Sequence, residues 1–212
     1  MIATLSPATV AATLGALGAV WLAMLLLGAG EVDRAILVNL YAGDYPWVAL
    51  AGIGFTRLGD WATVVGVTVA GAAWFAWRGQ ARDALVLLVA SFSGRLLVVL
   101  QKAEFARMRP QENIPLVEVH YLSFPSGHSA NSMIAYLCLA LLIAGDSPRR
   151  LWWAGAAIAL SLAIGISRVL VGVHWPSDVV GGWSFGLLWA LLVLRLGQTL
   201  KRNSKTSPSA TT

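Results

Sequence analysis

The sequence predicts an all-α, polytopic membrane protein with six transmembrane helices. Hydrophobic residues make up 58% of the 212 residues, charged residues make up 12%, and the mean hydropathy is +0.71. Soluble domains contain about 25% charged residues, so this composition is typical of a chain embedded in lipid. The apolar residues also form charge-poor runs that are close, with their flanks, to the roughly 20 residues that a spanning helix needs.

The first run precedes Glu31 and contains no charged residue. A cleaved signal peptide is the alternative for this run, but it lacks a basic amino-terminal region and is too long for an ordinary signal. The other five runs are residues 61–77, 84–101, 129–145, 151–167 and 179–194. We therefore expect one membrane domain at residues 1–200, followed by a polar, disordered tail at residues 201–212.

The basic residues of the connections orient the chain. They flank the second connection, the fourth connection and the carboxyl end, and basic loops face the cytoplasm in membrane proteins. These residues are Arg78, Arg82, Arg149, Arg150, Arg195, Lys201, Arg202 and Lys205. Both termini are thus expected on the cytoplasmic side of the plasma membrane, which is the inner membrane in a bacterium with two membranes. Because the basic residues are scattered among the spans, the net charge of +5 does not predict a nucleic-acid partner.

Two outer connections have features of their own. In the first, residues 31–60, the stretch DRAILVNLYAG is interpreted as a short amphipathic helix at the membrane interface or as a plain connector, and DYPW then turns the chain back. The longest, residues 103–125, is too long for a simple turn.

Two polar clusters stand at the outer ends of the third and fourth spans. Lys102 and Arg109 are seven residues apart, which is two turns of a helix, so both cations face the same way if the segment is helical. In the motif PSGH, Ser126 offers a hydroxyl and Gly127 lets a ligand approach the backbone. The free amides at the start of a helix attract an anion. Both clusters therefore suit a phosphate group.

A third cluster, SRVLVGVHWPSD, occupies residues 167–178 between the last two spans. Asp178 follows His174 by four residues and can accept the proton of one ring nitrogen, leaving the other nitrogen basic. Each residue alone also has an ordinary structural explanation, such as snorkelling for Arg168 or helix capping for Asp178. The placement of three clusters on one face favours a shared site that binds and transfers a phosphoryl group.

These spacings resemble the three-part signature of the type 2 phosphatidic acid phosphatase family. Six residues separate Lys102 from Arg109, PSGH follows, and Arg168 precedes His174 and Asp178 by fixed intervals. The match runs from residue 102 to residue 178, and the six-span layout extends it over nearly the whole chain. The charges of the connections place all three clusters, and with them the expected active site, at the outer, periplasmic or extracellular, face of the membrane.

The resemblance also implies a role for each residue of the signature. His174 attacks phosphorus and forms a phosphohistidine, Asp178 holds its ring, and His128 protonates the leaving oxygen and later activates water. No metal ion or other cofactor is implied. The phosphoryl oxygens are held by Lys102, Arg109, Ser126, Gly127 and Arg168.

Three further polar residues are ranked below the signature. Arg95, seven residues before Lys102, is interpreted as a partner of Asp178 or Glu104, or as a packing residue that reaches a water-filled pocket. Arg107 and His120 are interpreted as loop or headgroup contacts.

The resulting expectation is an integral membrane phosphatase that acts on a lipid phosphate or diphosphate among membrane lipids. Undecaprenyl diphosphate, phosphatidylglycerophosphate, phosphatidic acid and lipid A phosphates are all substrates of resembling bacterial enzymes, with undecaprenyl diphosphate or a broad specificity slightly favoured by the short chain. Alternatives are a non-enzymatic lipid-phosphate binder or transporter, a lipid A phosphatase or phosphotransferase, and a vanadium-dependent haloperoxidase. The sequence indicates no protein partner.

Overall fold

The protein is all-helical, as the sequence predicts. The computed structural model describes residues 6–119 and 122–206, and within these ranges it contains eight helices and no strand. The helices are α1 (Pro7–Leu27), α2 (Glu31–Leu40), α3 (Pro46–Leu58), α4 (Trp61–Trp77), α5 (Ala81–Phe105), α6 (Gly127–Ala144), α7 (Arg150–Leu170) and α8 (Pro176–Thr206).

The helices supply six membrane spans when one broken span is counted. Among the described residues, α1, α5, α6, α7 and α8 are each long and apolar enough to cross a membrane alone. Helices α3 and α4 together form the sixth span, with a bend of 44° between them. This confirms the six-span layout but corrects the first outer connection, because its second half is the helix α3. The charged Arg57 and Asp60 interrupt the apolar pattern at the break, so the run of apolar residues alone begins only at residue 61.

Helix α6 lies at the centre of the bundle and packs against α4, α5, α7 and α8. Buried residues lie on every side of it, including Ile134, Leu137 and Cys138. Since α6 begins at Gly127, the central helix places the PSGH motif in the middle of one end of the bundle.

Helices α6 and α8 approach each other through glycine. A methyl group at Gly186 would stand 2.7 Å from the carbonyl oxygen of Ala130, and one at Gly182 would stand 2.7 Å from the carbonyl oxygen of Ser126. Small residues four apart on one helix face allow such backbone contact between membrane helices. The backbone N–H of Ser126 also donates to the carbonyl of Asp178 at 2.9 Å. The start of α6 is thereby fixed against the start of α8.

The first and last helices are part of the bundle. Helix α1 packs along α8, and the indole Nε1 of Trp21 donates to Gln101 Oε1 of α5 at 3.0 Å, so the first run packs as a helix of the bundle. Helix α8 continues to Thr206, and the predicted boundary at residue 200 therefore lies inside a helix. The rest of the predicted tail, residues 207–212, lies outside the described residues, as does His120.

The amphipathic helix predicted in the first connection is α2. It buries Asp33 and Leu37 on one face and exposes Val32 and Ile36 on the other. Its buried carboxylate fixes it to the last span: Asp33 Oδ1 accepts a hydrogen bond from the backbone N–H of Ser177 at 2.9 Å. The alternative of a plain connector is wrong.

The glycine contact predicts a stability difference between two helical glycines. Gly186→Ala should lower the free energy of unfolding by about 1–3 kcal/mol, because the new methyl group meets a backbone carbonyl that cannot move aside. Gly155→Ala is the matched control: nothing lies within 4 Å of its added methyl group. There alanine should be neutral, or stabilising by up to about 1 kcal/mol through helix propensity. Thermal unfolding in detergent measures both, and equal midpoints would contradict the close α6–α8 approach.

Candidate active site

The three predicted clusters converge at one end of the bundle. Lys102 lies in the last turn of α5, PSGH begins α6, Arg168 lies in the last turn of α7, and Asp178 lies in the first turn of α8. These helix ends meet because successive spans run in opposite directions. The convergence expected from the sequence is therefore present.

His174 and Asp178 form a buried pair at the centre of this end. The ring nitrogen Nδ1 of His174 lies 3.2 Å from Asp178 Oδ2, and both side chains are almost completely enclosed. The same carboxylate oxygen accepts the backbone N–H of Trp175 at 3.0 Å and the hydroxyl of Ser123. With Nδ1 facing the carboxylate, Nε2 is the ring nitrogen that can attack.

The surroundings keep His174 neutral. Burial lowers the pKa of its imidazole well below the usual range, and the positive charges of Arg109, Lys102 and Arg168 lower it further. A neutral imidazole has the free electron pair that a nucleophile needs. The neutral imidazole is thus the resting form of His174 at neutral pH.

Three cations surround this pair, and the protein holds each one in place. Lys102 Nζ donates to the carbonyls of Leu122 and Ser123 at 2.6 and 2.8 Å, and Arg109 donates to the carbonyl of Val173. Burial lowers the pKa of Arg109 to about 10, with the charge of Asp178 opposing the shift, so its guanidinium stays protonated at neutral pH.

Arg168 is the cation with unused hydrogen-bonding capacity. Its side chain is buried, and its NH1 donates to the hydroxyl of Thr56 on α3 at 3.3 Å. Its Nε is buried and has no hydrogen-bond partner within the described part of the chain. Buried donors are almost always paired, so an orphaned guanidinium N–H indicates a place for an anionic oxygen.

Ser126 and Gly127 occupy the start of α6. Ser126 is fully buried and is the N-cap residue, with its hydroxyl accepting the backbone N–H of Ser129 at 3.5 Å. Ser126 therefore also has the ordinary structural role of capping α6. A methyl group at Gly127 would make only ordinary contacts, at 3.8 Å or more. Packing does not require glycine there, which leaves close approach of a ligand as a reason for it.

His128 has a partner that the sequence patterns do not reveal. Its Nε2 lies 3.0 Å from Oδ1 of Asp60, the residue at the break between α3 and α4. Asp60 belongs to no spacing motif, and only the break, which the run of apolar residues conceals, brings it to the start of α6.

Arg107 is a residue whose partner the sequence analysis did not identify. It is not a loop or headgroup contact: its side chain is 10% exposed and its NH1 lies 3.0 Å from Asp178 Oδ1. The same NH1 donates to Ser177 Oγ at 3.1 Å, and NH2 donates to the carbonyls of Met24 and Leu25 at the end of α1. The only sequence feature that could have indicated a role in the site is the position of Arg107 between Lys102 and Arg109.

Arg95 does not pair with Asp178, whose arginine partner is Arg107. The guanidinium of Arg95 instead lies over the ring of Trp61, 5.9 Å from its centroid. It also lines a small cavity with Thr68 and Asn131. The interpretation as a packing residue next to a pocket agrees with this position.

Comparisons with known proteins agree in family and fold. Residues 83–202 match the model of the PAP2 superfamily. Phosphatidylglycerophosphatase B of Bacillus subtilis is 34% identical over 178 residues, which cover 81% of this chain and 86% of that protein. The putative undecaprenyl-diphosphatase YbjG of Escherichia coli is 31% identical over 164 residues, covering 73% and 76% of the two chains.

A solved structure has the same fold. The crystal structure of a transmembrane PAP2-type phosphatidylglycerolphosphate phosphatase from Bacillus subtilis superposes with a TM-score of 0.83 at 30% sequence identity. The superposition covers 90% of this chain and 98% of the other.

The environment of Arg107 predicts a large stability effect. Arg107→Met should lower the free energy of unfolding by about 3–5 kcal/mol, because it leaves the buried carboxylate of Asp178 without its counter-charge. Arg34→Gln is the control, since the pair of Arg34 with Glu112 is exposed, with 68% of the arginine side chain accessible. An exposed pair contributes about 0–1 kcal/mol. Unfolding in detergent distinguishes them, and equal losses in the two variants would refute the buried role of Arg107.

Proposed function

Because the chain belongs to the PAP2 superfamily and is a membrane-embedded phosphatase of lipid phosphates, we propose that it removes phosphate through a phosphohistidine formed at His174. Its substrates are lipid phosphates and diphosphates of more than one backbone, including phosphatidylglycerophosphate and undecaprenyl diphosphate. The observation that carries this proposal is the contact of 3.2 Å between His174 Nδ1 and Asp178 Oδ2 among three cationic side chains.

The cations bind and polarise the phosphoryl group. The unpaired Nε of Arg168 donates to one phosphoryl oxygen, and Lys102 and Arg109 neutralise the charge on the others. The backbone amides at the start of α6, after Ser126, add further donors. Because backbone carbonyls already hold Lys102 and Arg109, little reorganisation is needed as charge develops in the transition state.

The two histidines divide the chemistry. Nε2 of His174 forms a bond to phosphorus as the bond to the lipid oxygen breaks, and His128 gives that oxygen a proton. A water molecule then attacks the phosphohistidine, gives its proton to His128 and releases phosphate. Asp178 stabilises the His174 ring while it carries a positive charge, which is the part that a carboxylate plays in a catalytic triad.

The geometry of His174 favours an enzyme over a lipid-phosphate binder. Binding an anion requires only cations and amides, whereas a neutral histidine aligned by a buried carboxylate is an arrangement for nucleophilic attack. The relatives are likewise named as phosphatases, which supports hydrolysis over a haloperoxidase reaction.

A broad substrate range follows from where the contacts lie. All eight signature residues act on the phosphoryl group or on one another, so the lipid backbone is left to other parts of the molecule. The outer loop between Arg109 and Ser126 lies beside the site and is irregular over its described residues. Its fixed points include the ion pair of Glu112 with Arg34 and the hydrogen bond from Tyr41 to the carbonyl of Ile114. This loop is the part that we assign to headgroup contact.

The site faces the outside of the plasma membrane in this proposal. Basic connections at Arg78, Arg82, Arg149 and Arg150 lie at the opposite end of the spans from His174, and basic loops stay in the cytoplasm. The substrate phosphates would then be those of the outer leaflet.

Phosphate release by the purified protein tests the reaction. We expect release from phosphatidylglycerophosphate, phosphatidic acid and undecaprenyl diphosphate, also in EDTA, with no release in His174→Ala. With ³²P-labelled p-nitrophenyl phosphate, whose leaving group needs no proton, His128→Ala should accumulate an acid-labile label on His174, because the base for water is gone. Absence of release from every lipid would favour the binder, and a label on His174→Ala would show that another residue is the nucleophile.

Cysteine labelling in sealed cells tests the orientation. Cysteine at Ile114, whose side chain is 83% exposed in the outer loop, should react with an impermeant thiol reagent. Cysteine at the exposed Asp146, in the connection between α6 and α7, should not. The sole native cysteine, Cys138, is buried, so the unsubstituted protein provides the background. Reaction at residue 146 alone would place the site in the cytoplasm.

A further inference from the structure

We propose that Asp60, at the break between α3 and α4, is a positioning residue that fixes His128 by its Nε2 so that Nδ1 handles the proton of the leaving oxygen. This inference rests on the proposed function and assigns a new residue to it. It makes the site a double arrangement, in which each histidine is aligned by its own carboxylate.

Asp60 lies at the N-cap of α4 but does not cap this helix with its side chain. It stands at the N-cap of α4, where an aspartate usually accepts a backbone N–H of the first turn. Its side chain makes no such hydrogen bond and instead lies 3.0 Å from His128 Nε2. Because Asp60 contacts His128 in place of capping α4, we infer that orienting His128 is the main role of this side chain.

The backbone of the break packs directly on the histidine ring. A methyl group at Gly59 would stand 2.8 Å from His128 Cδ2 and 2.5 Å from Ile164 Cγ2. The carbonyl of Leu58 accepts the hydroxyl of Tyr136, on α6, at 2.6 Å. The Cδ2–Nε2 edge of the ring is therefore held from the α3–α4 side, and Nδ1 lies on the opposite edge.

The contact also balances charge around His128. The positive charges of Arg168 from α7 and Arg109 from the outer loop act on His128, and the carboxylate of Asp60 opposes them. Asp60 also acts on Arg168, whose NH1 donates to Thr56 on α3. One broken span thus supplies the polar contacts of both His128 and Arg168.

The proton transfer is balanced with this assignment. The His174 Nε2–phosphorus bond forms, the phosphorus–lipid oxygen bond breaks, and the proton on His128 Nδ1 passes to that oxygen. In the second half, the water oxygen bonds to phosphorus as the His174 Nε2–phosphorus bond breaks, and the water gives its proton back to Nδ1. Asp60 keeps its own charge throughout and stabilises the doubly protonated ring that exists before the first half and again after the second.

The test is Asp60→Asn, with rapid-quench measurement of the phosphorylation step. With a lipid phosphate we expect a loss of about 10- to 100-fold, part of the roughly 10²–10⁴ that general acid catalysis contributes. With p-nitrophenyl phosphate, whose leaving group needs no proton, the loss should be below about threefold. The high-pH limb of the phosphorylation rate should move to lower pH, because the ring releases its proton more readily without the carboxylate. Asp44→Asn, at an exposed acid between α2 and α3, is the matched control and should match the unsubstituted protein.

Two further variants keep the outcome decisive. Asp60→Glu should recover most of the rate and the original pH limb, and Asp60→Asn added to His128→Ala should cause no further loss of phosphorylation. Equal losses with both substrates, an unshifted pH limb, or an added loss in the His128→Ala background would overturn the proposal. Failure to label His174 in the unsubstituted protein would instead contradict the proposed function, so the two failures are separable.

Discussion

The carboxylate of Asp178 is the point on which the rest of the site depends. Its Oδ2 aligns His174, its Oδ1 takes the guanidinium of Arg107, and its backbone carbonyl accepts the N–H of Ser126. Through its hydrogen bonds, Asp178 therefore links the start of α8, where it lies, to the start of α6 and to the chain after α5. A buried carboxylate is tolerated only when its charge is compensated, and here the groups around it also include the ring of His174.

The concentration of positive charge sets the second requirement. Lys102, Arg109 and Arg168 lie close together in a largely enclosed site, and like charges repel strongly at low dielectric. Backbone carbonyls hold the first two and the carboxylates of Asp178 and Asp60 offset part of their repulsion. The site keeps an excess of positive charge, which suits the binding of a dianionic phosphoryl group.

The sequence was sufficient for what depends on fixed spacing and on hydropathy. The six spans, the amphipathic α2 and the convergence of eight signature residues follow from patterns within each segment. Arg107 and Asp60 escaped because their roles depend on contacts between segments far apart in the chain, such as 71 residues between Arg107 and Asp178. The helix α3 was missed for a related reason: Arg57 and Asp60 look like loop residues until the 44° break turns one of them towards His128.

The hold of Arg107 on the end of α1 has a consequence for biosynthesis. The carbonyls of Met24 and Leu25 in the first span and the carboxylate in the last span share this one guanidinium. Spans are synthesised in order. The end of α1 can therefore form its hydrogen bonds to Arg107 only after residue 107 has been made, and Arg107 can pair with Asp178 only after the last span has been made. His174, the proposed nucleophile, is likewise aligned by Asp178 only once α8 has entered the membrane. A nascent chain or a truncated product therefore has no competent phosphatase to expose to the lipids around it, and activity appears only with the complete bundle.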